Sequence, residues 1–283
     1  MPKQNSQLRR VIQTFLKNKL SVVGLLIIFV LVPVAIFAPY ISPYDPTDQN
    51  VFNKLSIPSH SHFLGTDMLG RDVFSRVIWG ARVSLVVGVL SVFLGMVIGT
   101  MMGIIAGYKG KRVGNVIMRI VDILMSFPDE VLGIMIMVVI GSGLFNLIIV
   151  IGVLLIPRFA RLTHGPALVL REREFIEAAR ALGMRDLKII FSHILPNIFG
   201  EVAVMGALWI GLAIRLEANL SFLGLGVSPP IPTWGNMIRS GIDHLNNAPW
   251  LSVFPGLAIL IAVLGFNMVG DGLRDVTDPK LRY

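Results

Sequence analysis

The chain has no cysteine. That excludes disulfides, thiolate metal sites and thiol nucleophiles. Charge is also scarce: Asp, Glu, Lys and Arg make up 15% of the residues, where a soluble domain carries about a quarter. So little charge cannot cover a water-facing surface. With 54% hydrophobic residues and a mean hydropathy of +0.74, the chain reads as a polytopic membrane protein. A phosphate loop is missing too. Such a loop needs Gly, four residues, then Gly-Lys-Ser/Thr. The nearest stretch, Gly107-Tyr108-Lys109-Gly110-Lys111, has neither the spacing nor the hydroxyl. Nothing resembles a hydrolytic triad or a paired-carboxylate site in a water-filled cleft. No catalytic residue is assigned.

What the chain does have is long apolar runs. Four spans are plain, near residues 20–38, 83–107, 198–223 and 251–270. The first follows a basic stretch (Lys3, Arg9, Arg10, Lys17, Lys19) in the manner of a signal peptide. It is long enough to span and lacks a clean cleavage site, so it reads as an uncleaved helix. The middle is either one helix or two, near 118–140 and 144–158, parted at Gly141-Ser142-Gly143. The positive-inside rule decides between them. Two helices give six spans, both termini inside, 19 Lys/Arg on inside segments and 5 on outside ones. A single helix would place the seven positive residues from Arg158 to Lys188 outside and destroy the bias. The net charge of +8 is therefore a topology signal, not a nucleic-acid footprint. Gly95, Gly99, Gly103 and Gly107 line one face of the second span. They let another helix approach closely, here taken as packing within the subunit in preference to a subunit interface.

A polar island interrupts the apolar pattern. It runs from Glu174 to Asp186 and on to His193-Ile194-Leu195-Pro196-Asn197. Residues 171–182 hold helix formers and neither Gly nor Pro. Phe175, Ile176, Ala179 and Leu182 make a narrow apolar stripe. Acids come early and Arg180 and Arg185 late, as the helix dipole favours. Gly183 stands at a left-handed C-cap position. Asp186 can start a second helix, and Pro196 is expected to stop it. The plain alternative is an amphipathic helix lying on the membrane. A charged helical hairpin held in water instead offers a soluble partner something to push on.

Here the chain resembles the permease subunits of bacterial ABC importers. Glu177-Ala178-Ala179, Gly183 and Leu195-Pro196 match their signature, with His193 in a slot usually given to Ile. Three further stretches resemble the dipeptide, oligopeptide and nickel group. They are Gly65-Thr66-Asp67 with Gly70-Arg71-Asp72, Glu217-Ala218-Asn219-Leu220-Ser221, and Phe266-Asn267-Met268-Val269-Gly270-Asp271. The likeness covers nearly everything after residue 20 and is similar to the second, C-type permease. It implies an all-α, six-helix type I ABC importer permease fold in the bacterial inner membrane. Residues 1–75 would form the tail, first helix and outer loop, and 76–283 a five-helix core with a cytoplasmic coupling loop at 158–197. It also implies a homologous second permease, two ATPase subunits carrying ATP and Mg, an extracytoplasmic binding protein facing loops 63–82 and 224–250, and di- or oligopeptide cargo. Glu177, Ala178, Ala179 and Gly183 would couple to the ATPases. The chain itself would hold no cofactor and be no enzyme.

Charges within spans mark pathways or pairs. Asp122 is expected to pair with Arg119 at helical spacing. Asp129 and Glu130 follow Pro128 and have two readings: meeting a cationic group such as a peptide amino terminus, or Asp129 capping the restarted helix. Arg215 and Glu217, two apart, cannot face each other and are expected to meet the partner permease or the pathway. His60 and His62 could touch a metal but read as solvated loop residues, and no metal site is assigned. Three rivals stay open: an ion-coupled secondary transporter, a non-transporting scaffold or receptor, and the same ABC class importing nickel or another small solute.

Overall fold

A computed structural model of the chain describes residues 15–277. Among them the protein is helical, apart from one isolated bridge between Thr66 and Asp72. The membrane helices are α1 (Lys19–Ile36), α3 (Val73–Lys109), α4 (Lys111–Met125), α5 (Asp129–Ile140), α6 (Leu144–Arg171), α9 (Leu195–Phe222) and α11 (Trp250–Thr277). Short α2 (Ala38–Ile41), α7 (Glu174–Ala181), α8 (Asp186–Ile189) and α10 (Trp234–Gly241) lie between them. Their long apolar runs leave hydrocarbon-facing side chains such as Phe29, Val30 and Phe93 exposed. In a bilayer a continuous helix satisfies every backbone group internally.

The middle of the chain makes two helices. Gly141 (φ 85°) and Gly143 (φ 150°) take backbone conformations that disfavour side chains. Asn146 Nδ2 donates to the terminal carbonyls of Ile140 and Gly141, at 3.0 and 3.1 Å. The third span breaks at Pro128, in keeping with the restarted helix expected there. It is broken into α4 and α5 with a 93° bend, because Pro128 lacks an amide donor and its ring restricts Phe127. Helices α3 and α6 are longer than expected; α3 starts at Val73 because the Asp72 carboxylate accepts from the Ser75 amide at 2.8 Å and caps it.

The glycine stripe fixes how the helices run. A Cβ on Gly95, Gly99, Gly103 or Gly107 would strike, in turn, Gly152/Leu155, Ile156/Phe159, Ala160/Thr163 and His164/Ala167. The numbers rise together, so α3 and α6 are parallel. The α4–α5 pair between them must therefore carry the chain back across, which gives six crossings. Against α3, α9 is antiparallel: Gly88 faces Ile214 while Gly206 faces Met96. In α11, Gly265 meets Ile27 and Gly272 meets Ser21, so α1 closes the bundle antiparallel to it. Asn18 Nδ2 donates to Asp275 at 3.1 Å, so the start of α1 and the end of α11 share a side.

Two cores result. One gathers α3, α5, α6 and α9 with the α7–α8 segment, around Phe159, Met137, Leu155 and Ile194. The other joins α1, α3, α10 and α11 around Trp234, Phe266 and Leu251. Over it lies a folded loop rather than a loose one. Asp67 accepts from the Leu69 and Arg71 amides and from Arg71 Nε, and Trp250 Nε1 donates to the Thr66 carbonyl at 3.2 Å. His62 Nδ1 sits 2.9 Å from Asp72 Oδ1, which corrects its reading as a solvated loop histidine. His60 is exposed.

Candidate functional site

The polar island forms α7, a turn and α8. The turn is a Schellman closure: Met184 N–H donates to Ala179 O and Gly183 N–H to Arg180 O, at 3.0 and 2.9 Å. Gly183 has φ 76° with nothing within 4 Å of where a Cβ would be. On α7, Ile176 and Ala179 are buried while Glu177, Ala178 and Leu182 face out. Leu182 is 86% exposed, so the apolar stripe does not all turn inward. Of the four expected coupling residues, Glu177, Ala178 and Gly183 lie on the surface. Ala179 holds the helix to the bundle.

Pro196 does not end the second helix. Residues Asp186–Phe222 form one continuous span. The ring would clash with the carbonyl four residues back and offers no amide. The helix widens instead: Ile190–Ile194 is a π turn, in which the Leu195 amide reaches back five residues to Ile190 O. The widening has a packing use. Ile190, Ile194, Ile198 and Val202 are all buried. A four-residue repeat drifts about 40° per step on an α-helix, and the wide turn absorbs that drift. Ile194 takes the inward place, and His193 packs its ring 6.2 Å from that of Phe175.

The hairpin is tied to the end of α3. Tyr108 Oη donates to Asp186 Oδ1 at 2.7 Å, and Lys109 Nζ donates to Asp186 Oδ2. Arg180 lies over the Tyr108 ring, 4.9 Å from its centroid. Sequence reasoning missed this joint, because nothing local pairs residues 78 apart.

The membrane charges fall differently from expectation. Asp122 pairs with Arg161 on α6, not with Arg119; the pairing crosses helices at the bend. Asp129 does not cap α5. Pro128 holds the cap position, and the Asp129 carboxylate accepts from Arg158 at 2.5 Å. Glu130 is half-buried beside it. A cavity of about 250 Å³ opens at this bend, lined by Phe127, Pro128, Asp129, Leu154 and Arg158 among others. Helix α5 has 12 residues, about 18 Å long, short of the roughly 30 Å hydrocarbon core. The bend therefore lies within membrane depth, where non-helical backbone is tolerated only against protein or a water-filled cavity.

Arg215 is exposed on α9. Glu217 is fully buried: Ser84 and Ser221 donate to its two oxygens, each at 2.7 Å. It is enclosed by its own subunit and reaches neither partner nor pathway surface in this conformation. Among the described residues no cluster of three potential metal ligands occurs.

Comparison with known proteins adds the family. Residues 99–283 match the binding-protein-dependent transport system inner membrane component family. The chain belongs to that family. Residues 6–58 match the N-terminal transmembrane domain of oligopeptide transport permease C. The dipeptide transport system permease protein DppC of Alkalihalophilus pseudofirmus is 44% identical over 94% of this chain and 88% of its own length. The glutathione transport system permease protein GsiD of Pectobacterium atrosepticum is 42% identical over 95% and 89%. An inward-facing MetNI methionine ABC transporter structure shares the fold, with a TM-score of 0.57 at 21% identity, covering 72% of this chain and 97% of that one. The chain is thus a C-type permease of an ABC importer, all-helical, with the type I fold.

Proposed function

We propose that this permease forms half of the translocation pathway of an ATP-driven importer of di- or oligopeptides. The observation that carries the reading is the surface hairpin. A membrane chain without a phosphate loop presents a short helix, with Glu177 and Ala178 outward, tied to the end of α3 and linked by the Gly183 turn to α8, which is continuous with α9. Such a helix suits docking in an ATPase cleft. Closure of two ATPases, holding ATP and Mg, would then move α9 and α3 and bias a bistable bundle. The relatives named for dipeptide and glutathione transport support a peptide cargo.

On this reading the hairpin, the start of α1 and the end of α11 face the cytoplasm of a bacterial inner membrane. A second, homologous permease completes the pathway. The folded outer loop and the 224–250 segment face a binding protein. Asp129 is engaged by Arg158, which leaves Glu130 and Arg215 as the groups available to a peptide's charged ends. The test is reconstitution of the two permeases, ATPases and binding protein in liposomes. Uptake of a labelled dipeptide should require ATP and fall at least tenfold with Glu177→Lys. Uptake that persists without the ATPases but collapses with the proton gradient would instead identify an ion-coupled transporter.

A further inference from the structure

We propose that Tyr108 and Asp186 are positioning residues that make the coupling hairpin and the end of α3 a single moving body. Helix α7 is joined to its neighbours at two compliant points. The break at Glu172-Arg173 separates it from α6, and Gly183, with open space around it, separates it from α8. A helix held only by these would pivot when pushed. Tyr108 spans the second joint and ties both of its sides to α3: its ring carries Arg180 from α7, and its hydroxyl donates to Asp186 from α8. Arg180 Nε also reaches the same hydroxyl, at 3.4 Å.

Asp186 stands in the first turn of α8, where a carboxylate commonly serves its own helix's amides. The hydrogen-bond partners of its carboxylate lie on α3 instead. Both of its oxygens are spent on consecutive residues of α3. An isolated exposed ion pair such as Lys109–Asp186 contributes little. Here it is backed by a phenol that is only 4% exposed and belongs to the main core. Helix α3 is also the element that meets both α6, through its glycines, and α9. A push on α7 is thereby delivered to the bundle at α3, as well as along the chain into α9.

The proposal rests on the ATPase-docking reading, and its test separates the two. In the full importer reconstituted in liposomes, Tyr108→Phe and Asp186→Asn are expected to lower peptide taken up per ATP hydrolysed by fivefold or more, with ATPase subunits still bound. The conservative Asp186→Glu, which keeps two acceptor oxygens for Tyr108 and Lys109, should retain at least half of the ratio. In the permease pair alone, spin labels at Ile98→Cys and Ala181→Cys, the only cysteines in this chain, should give a narrow distance distribution that broadens in both variants. A ratio unchanged in assembled complexes overturns the proposal, as does a variant that only reduces assembly. Wild-type permease that binds no ATPase overturns the docking reading instead, and the label distances then decide the tether.

Discussion

Gly103 and Ala160 touch backbone to backbone: a Cβ on Gly103 would stand 2.2 Å from the Ala160 carbonyl oxygen and equally close to Thr163 Oγ1. Neither neighbour is the free end of a flexible side chain. Gly103→Ala must therefore part α3 from α6. Overpacking costs about 1–3 kcal/mol, and Gly103→Val should cost more. Thermal unfolding in detergent should show the loss, while Gly165→Ala, with nothing within 4 Å, should not. Equal stability of the two alanine variants would refute the close seam.

Gly183 poses the opposite case, since space is free and only the backbone resists. Gly183→Ala should cost about 1–2 kcal/mol from left-handed strain, and Gly183→Asn less. The readout is hairpin hydrogen exchange, with faster exchange at the Met184 amide expected in the alanine variant.

Arg158 and Asp129 join α6 to α5 at the bend. Removing one partner leaves the other charge without its mate beside the cavity, so Asp129→Asn and Arg158→Gln should each lower stability, by about 1–3 kcal/mol for a partly exposed charged hydrogen bond. The exchanged pair, Asp129→Arg with Arg158→Asp, should recover part of this. If both single variants match wild type in unfolding temperature, the pair contributes nothing.

Glu217 sits among hydroxyls with no cation among its hydrogen-bond partners. Glu217→Leu would orphan the Ser84 and Ser221 hydroxyls, at about 1–3 kcal/mol each. Adding Ser84→Ala and Ser221→Ala to it should restore stability. Unfolding temperature measures both, and a triple variant no better than the single one argues against the network.

Pro196 sets the wide turn. In Pro196→Ala the amide returns and the ring clash disappears, so the turn should tighten to an ordinary helix. Residues before it would then rotate by about 100° relative to those after. Labels at Leu187→Cys and Phe199→Cys should report a changed distance; the same distance in both proteins would mean that Pro196 is not the cause.

The bundle was largely legible in the sequence because its signals are local or additive. Apolar length marks spans, charge bias sets sides, and the spacing of Gly95 to Gly107 declares a packing face. Gly183 was legible for the same reason, as one residue that meets a single backbone need. Pairings were not. Arg119 and Asp122 have ideal helical spacing, yet Asp122 is taken by Arg161, because a bend brings α6 nearer than the local partner. Pro196 reads as a stop, but tertiary burial of Ile194 and Ile198 rewards continuing the helix at the expense of one distorted turn. Glu217 shows the limit for charges: its position within a span is visible in the sequence, but its three hydroxyl neighbours, on α3, α9 and the start of α10, are not.

The parallel seam between α3 and α6 bears on how the chain is made. Parallel neighbours cannot enter the bilayer as a hairpin. When α3 first leaves the ribosome's insertion machinery, its row of glycines has no mate, and one return crossing, made of two bent pieces, must be completed before α6 arrives. Until then α3 exposes a backbone-bare face to lipid. The bent α4–α5 segment therefore governs the timing of assembly: a lesion there would strand α3 unpaired and mark the nascent subunit for degradation before any partner could be met.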